Sequence, residues 1–358
     1  MIDEVRLHAT TVLLARSWDR DPAPVELPGD AFAAAAELLL ASGAGALAWR
    51  RIRGGPLAAT AAGQQLRDAY RQHAITAAAH EHVLKESLRL LREVGIDPIL
   101  TKGWSVARLY PDPGLRPYGD VDLFVDSADR ARAAAHLAAG EAQDWPVDLT
   151  HHDLPPEDAA GLFARSRVVP LDGVPVRVLA PEDQLRQLTT HQLRHALWRP
   201  LWLVDVAVLL ESLEPGFDWD RALAGPRAVR DGVTCVAALA GRLLGARLDG
   251  TPLAGARLPR WLAPAVTAQW AGLTTHYYDG VPLAAHLGSP RRLLAAIRQR
   301  WPSPIQATVS RGAPFNDWPR WPFQVADCAI RLLRSIARLP STRRALERRH
   351  NPCEPSMY

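Results

Sequence analysis

Lysine, cysteine and long apolar runs are all scarce in this sequence of 358 residues. Lys85 and Lys102 are the only lysines among 42 basic residues. The cysteines Cys235, Cys328 and Cys353 lie far apart and form no CxxC motif, which argues against a disulfide framework and against zinc-ligand spacing. No apolar stretch reaches the ~18 residues that a transmembrane helix needs. These absences favour a protein of a reducing compartment that binds no membrane.

The start of the chain and its charge support the same interpretation. The first residues, M-I-D-E-V-R-L-H, include acids and lack the basic start and apolar run of a signal peptide. We therefore expect a cytoplasmic protein. The net charge of +4 comes almost entirely from arginine. An arginine-, alanine- and proline-rich composition is also typical of a GC-rich genome, so this charge is only weak support for nucleic-acid binding.

The hydrophobic pattern divides the chain into three parts. Residues 1–95 read as helical, with helices over 30–47 and 60–95, and residues 181–358 return to helical patterns. Residues 96–180 alternate short apolar strands with short helices. The strands are expected at 97–101, 120–125, 145–150 and 172–179. The sequence thus predicts an α/β core between an N-terminal and a C-terminal helical region.

Two acids stand two residues apart within one of these apolar strands. Asp120 and Asp122 occur in R-P-Y-G-D-V-D-L-F-V, and alternate residues of a strand point to the same face. Paired carboxylates repel each other unless a cation lies between them, and a hard divalent ion with oxygen ligands suits such a pair. A third acid, Asp148, stands alone in the apolar strand W-P-V-D-L. The alternative is that the two acids lie at a strand edge and face solvent.

A possible phosphate loop precedes the acidic strand. In I-L-T-K-G-W-S, a strand leads through Lys102 and Gly103 into the start of a helix. Free N–H groups at a helix start bind phosphate, and glycine permits close approach. Lys102 would add a point charge suited to a triphosphate.

The whole run from I-L-T-K-G-W-S to G-D-V-D-L-F-V resembles the nucleotidyltransferase superfamily that includes DNA polymerase beta. More narrowly, it is similar to the bacterial "uncharacterised nucleotidyltransferase" family. The signature of that family begins with L-K-G, continues with a tyrosine and ends with R-x-x-G-D-x-D-L. The later V-D-L-T-H-H and H-Q-L-R-H-A-L-W-R-P-L-W-L-V-D-V-A resemble further blocks of that family. The similarity covers roughly residues 85–215. It implies an α+β fold in which a small mixed sheet is flanked by helical regions.

The resemblance also implies a reaction and a set of residues. The reaction would transfer a nucleoside monophosphate from a nucleoside triphosphate (NTP) to an acceptor hydroxyl, releasing pyrophosphate and using two Mg²⁺ ions, with Mn²⁺ as a substitute. Asp120, Asp122 and Asp148 would be the catalytic and metal-binding carboxylates. The nucleotide-binding residues would be Lys102, Gly103, Ser105 and Arg116.

Several neighbouring residues admit two interpretations. Arg116 either clamps phosphate oxygens or pairs locally with Asp112. His191 and His195 share a helix face at i, i+4 spacing; a structural role with hydrogen bonds near Asp205 competes with closure over the nucleotide base. A further histidine, His151, either orients Asp148 or donates to a phosphate, or simply ends a polar strand.

The acceptor is left open by the sequence. A small molecule or peptide is favoured over nucleic acid, because no basic stripe with interleaved aromatic residues is visible. Two other functions compete with this hypothesis. One is a non-catalytic nucleotide-binding or interaction protein, and the other is a toxin-like nucleotidyltransferase that modifies tRNA.

Overall fold

Five short strands form one mixed sheet in the middle of the chain. The structure is a computed structural model, and it describes residues 2–139, 144–149, 154, 158–272, 289–331 and 333. The strands are β1 (Ile99–Leu100), β2 (Val121–Phe124), β3 (Val147–Asp148), β4 (Arg167–Leu171) and β5 (Val174–Val178). Their order across the sheet is β3-β2-β1-β5-β4. The β2–β3 and β1–β5 pairs are parallel, whereas the β1–β2 and β4–β5 pairs are antiparallel. β4 was not predicted from the sequence.

The N-terminal region consists of four α-helices. They are α1 (Ile2–Leu14), α2 (Gly29–Ala41), α3 (Gly45–Ile52) and α4 (Ala61–Glu93). The single helix predicted over 30–47 is wrong, because the chain turns at Gly43, where φ is +74°. Only glycine takes this left-handed conformation readily, so one helix ends there and another begins. The predicted helix over 60–95 is confirmed as α4, whose first turn is capped by the Thr60 side chain.

Short helices connect the strands, and longer ones follow the sheet. The core helices are α5 (Trp104–Ala107), α6 (Arg130–Leu137) and α7 (Ala159–Arg165). The later helices are α8 (Pro181–Arg194), α9 (Pro200–Glu211), α10 (Trp219–Ala222), α11 (Arg227–Leu244), α12 (Leu262–Ala271), α13 (Pro290–Gln299) and α14 (Pro304–Ser310). Residues 321–331 are also helical. The predicted α+β class, a small mixed sheet with helical regions on both sides, is confirmed. No helix in the described ranges is long and apolar enough to cross a bilayer.

The sheet buries one face against α4 and α6. Val121, Leu123 and Val125 point to this face and pack with Leu84 and Leu88 of α4. Ile99 and Phe124 point to the opposite face, where Leu162 of α7 and Leu179 join them in a smaller cluster. Because neighbouring residues of a strand alternate between faces, Asp122 lies on the same side as Phe124. Asp122 is therefore directed away from α4.

The N-terminal and C-terminal helices share one hydrophobic core. Leu13, Phe32 and Leu47 from α1 to α3 belong to the same buried cluster as Val204 of α9 and Val236 of α11. This core is larger than either cluster of the sheet. The two helical regions, which are separated by the sheet along the chain, therefore meet each other in space.

A buried ion pair connects the α/β core to this helical core. Asp205, on α9, has no exposed surface and accepts hydrogen bonds from Arg116 Nε at 3.1 Å and Nη2 at 2.9 Å. The Tyr110 hydroxyl donates to the same carboxylate at 2.7 Å. Burial opposes the charge on Arg116, but the attraction of Asp205 outweighs it and raises the pKa of the guanidinium. Burial, followed by the Asp205 charge, raises the pKa of Tyr110 well above its ordinary value.

Removing one member of this pair should destabilise the whole fold. We expect Asp205→Asn to lower the free energy of unfolding by about 3–5 kcal/mol, because it leaves the Arg116 charge buried without its counter-ion. The double variant Arg116→Met/Asp205→Leu should lose less than the sum of the single variants. Urea unfolding monitored by circular dichroism measures both. The pair of part-buried Asp231 with the exposed Arg227 is the control, and Asp231→Asn should cost less than about 0.5 kcal/mol, because its partner remains solvated. Equal losses at the two sites would contradict this account.

Candidate active site

Three carboxylates lie on or beside two adjacent strands at one end of the sheet. β2 and β3 run parallel, with the Cα atoms of Asp122 and Asp148 paired in register. Paired residues of neighbouring strands present their side chains on the same face. Asp120 lies two residues before Asp122 and shares that face. The charges of Asp120 and Asp148 both act on the pKa of Asp122, as expected for carboxylates that lie close together.

Asp122 is the buried member of this set. Its relative exposure is 5%, whereas Asp148 is half-buried and Asp120 is exposed. Burial raises the pKa of Asp122, and the like charges of Asp120 and Asp148 add to this effect. Lys102 opposes it, since its Nζ lies 3.1 Å from Asp122 Oδ1. The predicted nucleotide-binding lysine is thus the counter-ion of the central carboxylate.

Gly103 directly follows Lys102 and packs against the start of the strand that carries the acids. Its φ is +57° and its ψ is −117°, a conformation that strongly favours glycine. A Cβ atom at this position would lie 3.1 Å from the Asp120 carbonyl oxygen and 3.3 Å from the Tyr118 ring. The glycine therefore permits a close approach between this turn and the start of β2. That packing is a reason for glycine here in addition to the predicted contact with phosphate.

The donor set suits a hard divalent cation. Carboxylate oxygens are the ligands that Mg²⁺ prefers, and the Lys102 ammonium already supplies a positive charge to Asp122. Across the described ranges, no three or more His, Cys, Asp or Glu side chains are grouped as they would be around a bound metal ion. The carboxylates would thus have to turn toward a common point to hold an ion. By their chemistry and by their position on neighbouring strands, Asp120, Asp122 and Asp148 fit that role.

Two predicted nucleotide-binding residues are directed elsewhere. Ser105 has no exposed surface, and its Oγ accepts a hydrogen bond from Gln184 Nε2 at 3.1 Å. Arg116 pairs with Asp205, so neither the phosphate clamp nor the pairing with Asp112 describes its position. Both side chains connect the core to the C-terminal helices. Each is buried and is bound by a buried partner, Gln184 for Ser105 and Asp205 for Arg116.

The histidines predicted as secondary site residues form an aromatic group instead. The rings of His191 and His195 lie 4.7 Å apart between centroids, as their i, i+4 spacing predicts. His191 also lies 5.1 Å from the Trp202 ring in an edge-on contact. The Asp205 carboxylate accepts hydrogen bonds from Arg116 and Tyr110, and the expected hydrogen bonding of the two imidazoles near it stays a prediction. His151 lies outside the described residues.

Three residues next to the site were not identified from the sequence. Trp104 donates from Nε1 to the Glu81 carboxylate of α4 at 3.1 Å. Tyr118 packs against Gly103, and its buried hydroxyl has no hydrogen-bond partner in the described part of the chain. Burial, and then the Glu81 charge, raises the pKa of Tyr118. The only signal in the sequence was the position of two of them. Trp104 directly follows Gly103, and Tyr118 lies two residues before Asp120.

Asp122→Asn tests this electrostatic picture. Because the pKa of Asp122 is raised, the folded protein holds a proton there more tightly than the unfolded chain does, and ionisation destabilises the folded state. Stability without metal should fall as pH rises from the ordinary carboxyl value of 3.8 through the raised pKa, and this loss should be smaller in Asp122→Asn. At pH 7 in EDTA the variant should melt no lower than wild type. Thermal melts between pH 3.5 and 7 measure this. A much lower melting temperature for the variant would mean that the Lys102 pair outweighs burial and repulsion.

Comparison with known proteins agrees with the motif resemblance. A family model described as an uncharacterised nucleotidyltransferase matches residues 30–153 and 141–249. These segments extend from α2 to beyond α11, more than half of the chain, and include Lys102, the three carboxylates and the Arg116–Asp205 pair. No curated protein and no solved structure shows significant similarity to the chain. The matched segments carry both the acidic strands and the ion pair that holds them to the helices, and the chain belongs to the uncharacterised nucleotidyltransferase family.

Proposed function

We propose that this protein is a Mg²⁺-dependent enzyme that moves a nucleoside monophosphate from an NTP to an acceptor hydroxyl. The observation that carries the proposal is the register of β2 and β3, which pairs Asp122 with Asp148 beside Asp120. A group of carboxylates on adjacent strands has a high cost in repulsion and desolvation. Metal-assisted phosphoryl chemistry requires such a group, and the family membership supports nucleotidyl transfer in general.

The three carboxylates would divide the work by their positions. Asp120, just before β2, and Asp122, on β2, would hold the nucleotide side of the site, and Asp148, on the neighbouring β3, would face the acceptor. Two Mg²⁺ ions, when bound, would neutralise the phosphate charge and polarise the acceptor hydroxyl. The acceptor oxygen forms a bond to the α-phosphorus while the bond to the bridging oxygen breaks, and pyrophosphate leaves with the electron pair. Asp148 is the residue we assign to take the hydroxyl proton.

Lys102 would have a role in both the free and the bound state. In the free protein its ammonium compensates the Asp122 charge at 3.1 Å. With the carboxylates neutralised by a bound divalent cation, the Lys102 ammonium would be able to contact phosphate oxygens instead. The side chain is 21% exposed, so a ligand that enters from solvent can contact it. Gly103 next to it would allow the triphosphate to approach the backbone.

The acceptor that we favour is a small molecule or peptide. The described residues next to the carboxylates include Lys102, and the buried Arg116 is bound by Asp205. The sequence also lacks a stripe of basic residues interleaved with aromatic residues, which would make the several phosphate contacts that a nucleic-acid backbone needs.

An assay with α-labelled and γ-labelled NTP tests the proposed function directly. We expect label from the α-phosphate to enter an acceptor or to be released as nucleoside monophosphate, with pyrophosphate as the second product. Activity should require Mg²⁺ or Mn²⁺, and Asp122→Asn should lower it by at least ~10³-fold while the fold is retained. Asp126→Asn, which changes an acid just beyond β2, is the matched control and should leave activity within a few-fold of wild type. Binding of NTP in EDTA as tight as in Mg²⁺, without turnover under any condition, would favour a non-catalytic nucleotide-binding protein.

Asp148→Asn separates the proton-accepting carboxylate from the nucleotide-binding pair. We expect this variant to bind Mg²⁺–NTP within a few-fold of wild type but to lose at least ~10²-fold in turnover, the scale of a lost general base. Isothermal titration calorimetry measures the first and the transfer assay the second. A large loss of Mg²⁺–NTP binding would place Asp148 with the nucleotide. Unchanged turnover would remove it from the mechanism.

A further inference from the structure

The turn formed by Lys102 and Gly103 has little secondary structure of its own. It lies between β1, which has two residues, and α5, which has four. Gly103 has a φ of +57°, and glycine has more backbone freedom than any other residue. Because two short elements and a glycine constrain the turn only weakly, its position depends on side-chain contacts with the rest of the fold.

The residue after the glycine is bound to helix α4. Trp104 Nε1 donates to Glu81 Oε1 at 3.1 Å, and Trp104 is 7% exposed. Glu81 is half-buried and lies on a helix of 33 residues. A hydrogen bond to a carboxylate is stronger than one between two neutral groups. This bond therefore fixes one side of the turn to a long, regular element.

The turn has a second contact, with Tyr118. A Cβ atom at Gly103 would lie 3.3 Å from Cδ2 of the Tyr118 ring, so the backbone of the turn packs directly on that ring. The Tyr118 ring lies 5.0 Å between centroids from the ring of His80, which precedes Glu81 on α4. Two consecutive residues of α4 thus contact the side chains that follow the glycine and precede the acids.

The same part of α4 also packs on the acidic strand. Leu84, one turn further along the helix, belongs to the buried cluster of Val121 on β2. The helix therefore contacts both the strand that carries Asp122 and the turn that carries Lys102. The two charged groups meet at 3.1 Å between Lys102 Nζ and Asp122 Oδ1. A shift of the turn relative to α4 would move the ammonium away from this position.

The charge of Glu81 does not suit the ligand that the turn is proposed to bind. The carboxylate is bonded to the neighbour of Gly103, and a negative charge close to a triphosphate weakens its binding through repulsion. The useful contribution of Glu81 is therefore an acceptor oxygen at a fixed place. Glutamine has the same length and retains an oxygen acceptor without the charge.

We infer that Glu81 and Trp104 are positioning residues for the triphosphate of the NTP. They act through the turn: the bond between them keeps the Lys102 ammonium and the Gly103 backbone where phosphate oxygens can reach both. Tyr118 packs against the same turn and limits its movement. This role rests on the proposed function, because it concerns the binding of the same NTP.

The test uses Mg²⁺ with α,β-methylene analogues of the four NTPs, which cannot transfer their nucleoside monophosphate. We expect Trp104→Phe, which retains an aromatic ring but has no N–H donor, to weaken binding by about tenfold in isothermal titration calorimetry. Glu81→Ala should lose a similar factor. The double variant should lose little more than either single variant, because both remove the same bond. Glu81→Gln should stay within about threefold of wild type, because its amide oxygen still accepts from Trp104.

Nucleoside monophosphates separate positioning from a general weakening of the fold. They lack the β- and γ-phosphates that the turn would contact, so Glu81→Ala should bind them as well as wild type does. An equal loss of affinity for monophosphate and triphosphate analogues would overturn the inference, because it would mean that the bond only stabilises the fold. If Trp104→Phe does not fold, Glu81→Ala and Glu81→Gln decide the outcome, since Glu81 is only half-buried.

Lys85→Met is the matched control on the same helix. Lys85 Nζ lies 3.1 Å from Asp172 Oδ2, so the variant also removes a polar contact of α4. Asp172 precedes β5, whereas Lys102 follows the parallel strand β1, so the two contacts lie at opposite ends of the sheet. Lys85→Met should therefore leave the affinity for the NTP analogues unchanged.

The same titrations separate this inference from the proposed function. A wild-type protein that binds none of the NTP analogues with Mg²⁺ would remove both. A wild-type protein that binds them, together with Glu81→Ala and Trp104→Phe variants that bind equally well, would remove only the positioning role.

Discussion

The buried ion pair between Arg116 and Asp205 is the interaction on which the rest of the structure depends. Its two hydrogen bonds join the loop before β2 to helix α9, across the boundary between the sheet and the helical core. That loop is four residues from Asp120, so the pair also determines how the acidic strand enters the sheet. A charge this deeply buried is tolerated only with its partner in place. Folding of the C-terminal helices and formation of the site are therefore coupled.

The two central carboxylates of the fold are held in different ways. Asp122 lies 3.1 Å from the Lys102 ammonium, and the charges of Asp120 and Asp148 add to the effect of burial in raising its pKa. Asp205 accepts hydrogen bonds from both sides of the Arg116 guanidinium and from the Tyr110 hydroxyl. A buried carboxylate beside like charges, with a perturbed pKa, is typical of a site organised for a ligand. A buried carboxylate with a bidentate partner is typical of a structural contact.

The sequence predicted the strand positions and the carboxylates more successfully than the partners of the charged residues. The spacing of Asp120 and Asp122, and the isolation of Asp148 in an apolar strand, were sufficient to expect them on two strands of one sheet, and β2 and β3 now bear this out. The partner of Arg116 could not be predicted, because Asp205 lies 89 positions away and local spacing carries no information about it. The turn at Gly43 was missed for a related reason, since the apolar period continues through it.

The position of Asp148 has an evolutionary consequence. β3 is a two-residue strand at the edge of the sheet, and its acid is half-buried, whereas Asp122 is buried in β2 between β3 and β1. A lineage that gave up the proposed reaction could replace Asp148 by many side chains at little expense to folding, whereas at position 122 only the isosteric asparagine would fit the buried place beside Lys102. Position 148 would therefore be among the first to be substituted. Among related chains, its identity would separate working enzymes from those that retain only the scaffold.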